Sequence, residues 1–299
     1  MNGPKKCMLW ALVVRAFAPS IIQNLRFGHK HPWRVPGRIV FFGENEYAVR
    51  QIGPENAPNI VLVHGLAGSS LSEWYKVGPA LAEVYRVTMV DQRGHGVTPP
   101  GVGRSGIDRY ASDLAGVLGA VGVDSAAFVG YSMGGVVTQA LARSRPDLVT
   151  KMVLIATFAT HPRTEASLRW LFVRLTRGVE RLTGIGSSDV RALYLLATGA
   201  TEVRYATWAW EEAHRRDIES VTRAAGALFG FDSTSWIGQL DQSALVIIPE
   251  KDQLVNPQWQ HRLAGLLKQV EVIKVRDGKH ELPWTHSALL ASEIRRFVG

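Results

Sequence analysis

The chain has 299 residues, 46% of them hydrophobic and 20% charged, a balance that excludes disordered, collagen-like and coiled-coil architectures and fits one large core carrying an insertion. Nearly all of the net charge of +8 sits in residues 1–38, where Lys5, Lys6, Arg15, Arg26, Lys30, Arg34 and Arg38 meet no acid. The remainder is close to neutral, which excludes a nucleic-acid face spread over the fold, and the single cysteine, Cys7, excludes an internal disulfide and a cysteine metal cage.

The N-terminal arm, residues 1–38, leaves three readings open. Lys5 and Lys6 precede the apolar run 7–14, and Ala16-Phe17-Ala18 looks like a small-residue cleavage site, as in a secretory signal. Arg15 interrupts that run early, and the stretch is too short to span a bilayer. Residues 8–27 also suit an interfacial segment on anionic lipid, or a basic helix packed on the domain's own surface. The expected location is the cytoplasm, with peripheral contact to an anionic membrane through residues 1–38 as the open alternative.

Beyond the arm, hydrophobic patterning predicts strands over 39–42, 46–52 and 60–64, a helix over 72–83, a strand over 87–91, a helix over 109–121, a strand over 126–130, a helix over 133–143 and a strand over 152–155. Most of the strands are continuous apolar runs, which suit strands buried on both faces, and their alternation with helices implies a mostly parallel sheet. About ninety residues then pass without a convincing β run. Leu168, Leu171, Phe172, Leu175, Val179 and Leu182 recur there at helical spacing, and further helical patterns cover 189–197, 201–215 and 218–229. A strand over 245–249, a helix over 257–267, a strand over 270–275 and a helix over 286–297 complete the chain. The expected organisation is a core at 39–156 and 244–299, interrupted by a helical cap at 157–243.

Chemistry concentrates at strand ends. Gly130-Tyr131-Ser132-Met133-Gly134-Gly135 follows the strand over 126–130 directly and opens the next helix. That context makes it a nucleophile elbow, in which small neighbours allow a tight bend and expose a hydroxyl at the positive end of a helix. Upstream, His64-Gly65-Leu66-Ala67-Gly68-Ser69 forms a turn after the strand over 60–64. The amides of Leu66 and Met133 are the expected oxyanion donors, and His64 is expected to orient the turn. A serine needs a base, and the base needs an acid to hold its tautomer. Asp252 follows the strand over 245–249 and His280 follows the strand over 270–275, which gives the order Ser, Asp, His. Glu250, His261 and His286 are the rivals. His29, His31, His161 and His214 show no metal-ligand spacing, so no metal and no cofactor is expected. Trp170, Trp208, Trp210 and Trp236 lie in the cap, as its own core or as an apolar roof over substrate.

The ordered set His64-Gly65, Asp91-Gln92-Arg93-Gly94-His95-Gly96, the elbow around Ser132, Asp252 and His280 resembles the α/β-hydrolase fold superfamily over residues 39–299. The resemblance implies an α/β architecture with an eight-stranded, mostly parallel sheet, helices on both faces, an antiparallel second strand, a helical cap between strands six and seven, and a Ser-His-Asp triad. Ser132 sets the chain apart from members that use an aspartate there, such as haloalkane dehalogenases and epoxide hydrolases. The elbow is similar to those of carboxylesterases, monoacylglycerol-type lipases and carbon–carbon bond hydrolases. Two departures stand out: Pro249-Glu250-Lys251 replaces a small glycine ahead of the acid, and Gly-Lys-His replaces the commoner Gly-His. The expected function is hydrolysis of a moderately hydrophobic, small-molecule or lipid-like carboxylic ester, with no nucleic-acid partner. The alternatives are carbon–carbon bond hydrolysis, acyl transfer, or ligand sensing without turnover.

Overall fold

A computed structural model of the chain describes residues 30–103, 105–161, 192, 194–196 and 199–299. Eight strands form one sheet: β1 (Arg38–Phe42), β2 (Asn45–Ile52), β3 (Asn59–Val63), β4 (Arg86–Val90), β5 (Ala126–Tyr131), β6 (Val149–Ile155), β7 (Ser243–Pro249) and β8 (Val270–Val275), in the order β1-β2-β4-β3-β5-β6-β7-β8. β2 runs antiparallel to both of its neighbours, and β4, β3, β5, β6, β7 and β8 are parallel. The α/β, mostly parallel eight-stranded architecture is therefore as expected, including the reversed second strand.

The continuous apolar runs feed two cores at once. Val61 and Val63 of β3 pack on one side of the sheet with α3 (Ile107–Ala120) and α4 (Met133–Ser144), while Ile60 and Leu62 face the opposite cluster. That second cluster holds Leu71 and Trp74 of α1 (Ser70–Trp74), Leu81 of α2 (Gly78–Leu81) and Leu290 and Ile294 of α9 (Ser287–Val298). Alternation of side chains along a strand makes one apolar run serve both faces.

The helix expected over 72–83 is two helices. Ser69 caps α1, its Oγ accepting from the Ser72 amide. α1 ends after Trp74, and Gly78-Pro79 begins α2. Proline has no N–H to continue a preceding helix and suits a first turn, so apolar periodicity alone overruns the break. Between β6 and β7 in the chain lie α5 (Ala206–His214), preceded by a 3₁₀ turn at Val203–Tyr205, and α6 (Ile218–Phe229). Asp217 caps α6 by accepting from the Ser220 amide at 2.6 Å. The pattern over 168–182 with Trp170, and most of the arm over 1–38, lie outside the described residues. Among the described residues no helix is long and apolar enough to cross a membrane.

The parallel strands point their carboxyl ends to one edge, where α/β sites gather. The turn after β3, Ser132 after β5, Asp252 after β7 and His280 after β8 all emerge from strand ends of this kind.

Candidate active site

Ser132 stands between β5 and α4 with φ 53° and ψ −118°, a left-handed backbone that L-residues rarely adopt. Its amide donates to the Ile155 carbonyl at 2.9 Å, and its carbonyl accepts from the Thr157 hydroxyl at 2.8 Å. Both bonds tie the bend to the end of β6. Gly134 is required by close approach: a Cβ there would overlap the Val63 carbonyl and lie 2.8 Å from the His64 oxygen. α4 can therefore start directly against β3 only with glycine at this position. Met133 is the first residue of α4, so its amide belongs to the helix N-terminal turn that has no intrahelical acceptor.

Ser132 Oγ lies 3.2 Å from His280 Nε2, and His280 Nδ1 lies 2.8 Å from Asp252 Oδ2. The carboxylate only accepts, so Nδ1 carries the proton and Nε2 presents a bare lone pair to the Ser132 hydroxyl. Asp252 and His280 are both buried. Asp252 is held in turn by three donors: the amides of Leu254 at 2.8 Å and Val255 at 2.9 Å on Oδ1, and Gln260 Nε2 at 3.0 Å on Oδ2. Gln260, on α7 (Pro257–Leu266), also donates to the Val255 carbonyl at 2.8 Å, which links the acid loop to its helix. Tyr131 supports His280 from the other side, its hydroxyl donating to the His280 carbonyl at 3.0 Å.

The rivals lie elsewhere. Glu250 pairs with His261, Oε1 to Nε2 at 3.1 Å, and His286 faces Asp277 at 3.5 Å. Pro249-Glu250-Lys251 and Gly278-Lys279-His280 thus carry their unusual residues without turning Asp252 or His280 away from each other.

The turn after β3 is fixed by buried polar groups. His64 Nε2 accepts from the Gln92 amide at 2.9 Å, so its Nδ1 carries the proton and donates to the Gly65 carbonyl at 2.8 Å. Gln92 Nε2 donates to the His64 carbonyl at 2.7 Å. The Gly65 amide donates to Glu73 Oε2 at 2.6 Å. His64 thus braces the turn from both sides. Asp91 accepts from the Ser70 amide and hydroxyl and from Arg50. Burial opposes its charge, but Arg50 and Ser70 together hold its carboxyl below the usual range. Burial pushes His95 down to about 3, so its imidazole is neutral in the fold.

The segment between β6 and β7 touches this turn and the loop after β4. Ser69 Oγ donates to Glu212 Oε2 at 2.6 Å, Arg216 Nη1 donates to the Ala67 carbonyl at 3.1 Å, and the Asp217 amide reaches the Gly94 carbonyl at 3.0 Å. Burial raises the Glu212 pKa, against the opposing pull of Ser69 and Arg215. Trp208 is buried edge-on to Tyr75, Trp236 packs under Arg143, and Trp210 stacks on His214. These three tryptophans are engaged in packing. Patterning could not reveal Glu73, Gln92, Gln260 or Tyr131, because each acts on a backbone or side-chain group brought close only by folding.

Sheet order, elbow and the Asp–His–Ser line together define a protein of the α/β-hydrolase fold. Residues 58–181 match the family described as alpha/beta hydrolase fold. Among its relatives, the protein named "Putative carbamate hydrolase RutD" from Agrobacterium fabrum is 27% identical over 247 residues, covering 81% of this chain and 93% of that one. Two solved structures share the fold. The enol-lactonase from Burkholderia xenovorans LB400 has a TM-score of 0.74 at 24% identity, covering 87% of this chain and 99% of its own. A thermophilic esterase from Thermogutta terrifontis has a TM-score of 0.73 at 23% identity, covering 88% and 97%.

Proposed function

We propose that this chain is a serine hydrolase that cleaves a moderately hydrophobic carboxylic ester through an acyl-enzyme. The observation that carries the reading is the unbroken line from Asp252 Oδ2 to His280 Nδ1 at 2.8 Å and from His280 Nε2 to Ser132 Oγ at 3.2 Å. In this reading Ser132 Oγ attacks the ester carbonyl carbon as His280 Nε2 takes its proton. Asp252 keeps Nδ1 protonated and stabilises the imidazolium. The amides of Leu66 and Met133 meet the oxygen on which negative charge develops. His280 then delivers the proton to the departing alkoxide, and a water activated by the same imidazole releases the acid and restores Ser132.

Relatives and neighbours named for esterase and enol-lactonase chemistry support an oxygen-ester substrate class. The relatives named for carbamate hydrolysis favour a second reading, attack on a carbamate carbonyl by the same three residues. The test is a panel of p-nitrophenyl esters from two to sixteen carbons beside p-nitrophenyl carbamates, run with and without anionic vesicles. Ester turnover that disappears in Ser132→Ala is the expected outcome, and full turnover in that variant refutes the mechanism. Stimulation by vesicles would support contact of the basic arm, residues 1–38, with a lipid surface; indifference to them removes that contact. Tight ligand binding without turnover would support a sensor instead.

A further inference from the structure

We infer that Glu73 is a positioning residue for the oxyanion donor at Leu66. The inference rests on the serine-hydrolase reading above and adds to it a side chain that never meets substrate. In a trans peptide the carbonyl and the next amide point in opposite directions, so the aim of the Leu66 N–H is set by the aim of the Gly65 carbonyl. No peptide bond among the described residues is cis.

Gly65 is gripped from both sides. Its carbonyl accepts from His64 Nδ1 at 2.8 Å, and its amide donates to Glu73 Oε2 at 2.6 Å. The peptide before it is pinned again where the His64 carbonyl accepts from Gln92 Nε2 at 2.7 Å. With both flanking peptide planes held, the φ and ψ of Gly65 are fixed although glycine itself offers no steric restraint. If the Glu73 acceptor is removed, the peptide before Gly65 keeps only the Gln92 bond to its carbonyl, and the Leu66 amide is held less firmly in its aim.

Glu73 is built into this position. It is 1% exposed and reaches the turn from α1. Gly68 leaves the room it needs, since a Cβ at that position would overlap the Glu73 carboxylate and lie 2.5 Å from its Cδ. A carboxylate is costly to bury, and an apolar residue would fill the space more cheaply. A role as hydrogen-bond acceptor explains why an acceptor occupies it. The inference needs that acceptor and not its charge, so the amide oxygen of glutamine serves the same bond.

The test uses the full chain, with the preferred ester of the panel and an aryl boronic acid, whose boron takes the Ser132 oxygen and carries a hydroxyl into the oxyanion position. Glu73→Ala is expected to lower kcat by about 10- to 100-fold with KM within about threefold, and to raise the boronic acid Ki by a similar factor, as for partial loss of one oxyanion donor. Glu73→Gln is expected to recover kcat to within about threefold of the parent. Gly68→Ala keeps the carboxylate but displaces it, and is expected to reproduce the kcat loss should Glu73→Ala fail to fold. Folded Glu73→Ala with the parent's kcat, Glu73→Gln as impaired as the alanine variant, or a loss confined to KM overturns the role of Glu73. Each of those outcomes leaves the hydrolase reading standing if Ser132→Ala is inactive. Full turnover in Ser132→Ala overturns both.

Discussion

Replacing Ser132 by glycine and by alanine separates the cost of the elbow from its chemistry. At φ 53° and ψ −118°, an L-residue carries backbone strain of about 1–3 kcal/mol. Glycine is free of that strain but loses more chain entropy on folding, about 0.5–1 kcal/mol. The difference favours glycine over alanine by up to about 2.5 kcal/mol. Both variants lack the hydroxyl, so the 3.2 Å bond to His280 is absent from each and cancels in the comparison. Position 132 is half-buried, so the alanine methyl returns only a small packing term. The assay is urea unfolding of the two variants at pH 7, comparing midpoints at equal slope. Both are expected to lose ester turnover by at least about 10³-fold, while the glycine variant unfolds at higher urea. A glycine variant no more stable than the alanine variant refutes the account of a strained elbow.

Other consequences are equally specific. His95 is neutral in the fold, down to about 3, whereas an unfolded histidine titrates near 6.5. The unfolded state therefore binds the extra proton between those values, and stability falls as pH drops below about 6.5, by up to about 1.4 kcal/mol per pH unit from this group. Urea midpoints between pH 7 and 5 should fall less steeply for His95→Asn than for the parent, and equal slopes count against the burial of His95. Asp91, held low, begins to lose its contribution only below the ordinary carboxylate value of 3.8 and has lost it below its own lowered one, outside this window. Gly134→Ala drives a Cβ into the Val63 carbonyl, while Gly119→Ala on α3 meets nothing within 4 Å. The first should abolish turnover and lower thermal stability; the second should raise stability by up to about 1 kcal/mol, read by the same unfolding curves. Gln260→Leu removes one of the three donors to Asp252, and a loss of about tenfold in kcat/KM is expected, roughly 1.4 kcal/mol. Unchanged kcat/KM shows that the Leu254 and Val255 amides hold the acid unaided.

How far sequence reading reaches depends on where each residue finds its partner. The strands were readable because 60–64, 126–130 and 245–249 are apolar runs too short for helices and bounded by turns, and they become β3, β5 and β7. His280 was separable from His261 and His286 because it follows a strand, while the other two lie on or at the start of helices. Asp252 was separable from Glu250 because Leu254-Val255 turns into a capped helix, and it is those two amides that bind Asp252. The break between α1 and α2 was hidden because Leu71, Trp74, Val77 and Leu81 remain apolar at helical spacing across it, and all four are buried. Glu73 was hidden for the opposite reason. A single acid in an amphipathic pattern reads as solvent-facing, whereas folding brings the Gly65 amide, eight residues away in the chain, to it as a buried partner.

Among the described residues, the non-glycine positions with positive φ are Ala67 at 62°, Ser132 at 53° and Ala156 at 51°. They follow β3, β5 and β6, which are adjacent in the sheet. Three strained residues on neighbouring strand ends persist only where surrounding bonds over-determine them, and such bonds are present. The Ser132 amide is held by Ile155, the Ala156 amide by Ile247 at 3.1 Å, and the Ala67 carbonyl by Arg216 at 3.1 Å. Two of these partners are sheet residues on the next strand, so the ladder that aligns β5, β6 and β7 also fixes the elbow. The third comes from the inserted segment, at the junction of α5 and α6. Strain at the elbow is thus offset by the rigid sheet, while strain at the turn after β3 depends in part on the contact made by Arg216, between α5 and α6. A displacement of α5 would therefore disturb the proposed Leu66 donor before it disturbed Ser132.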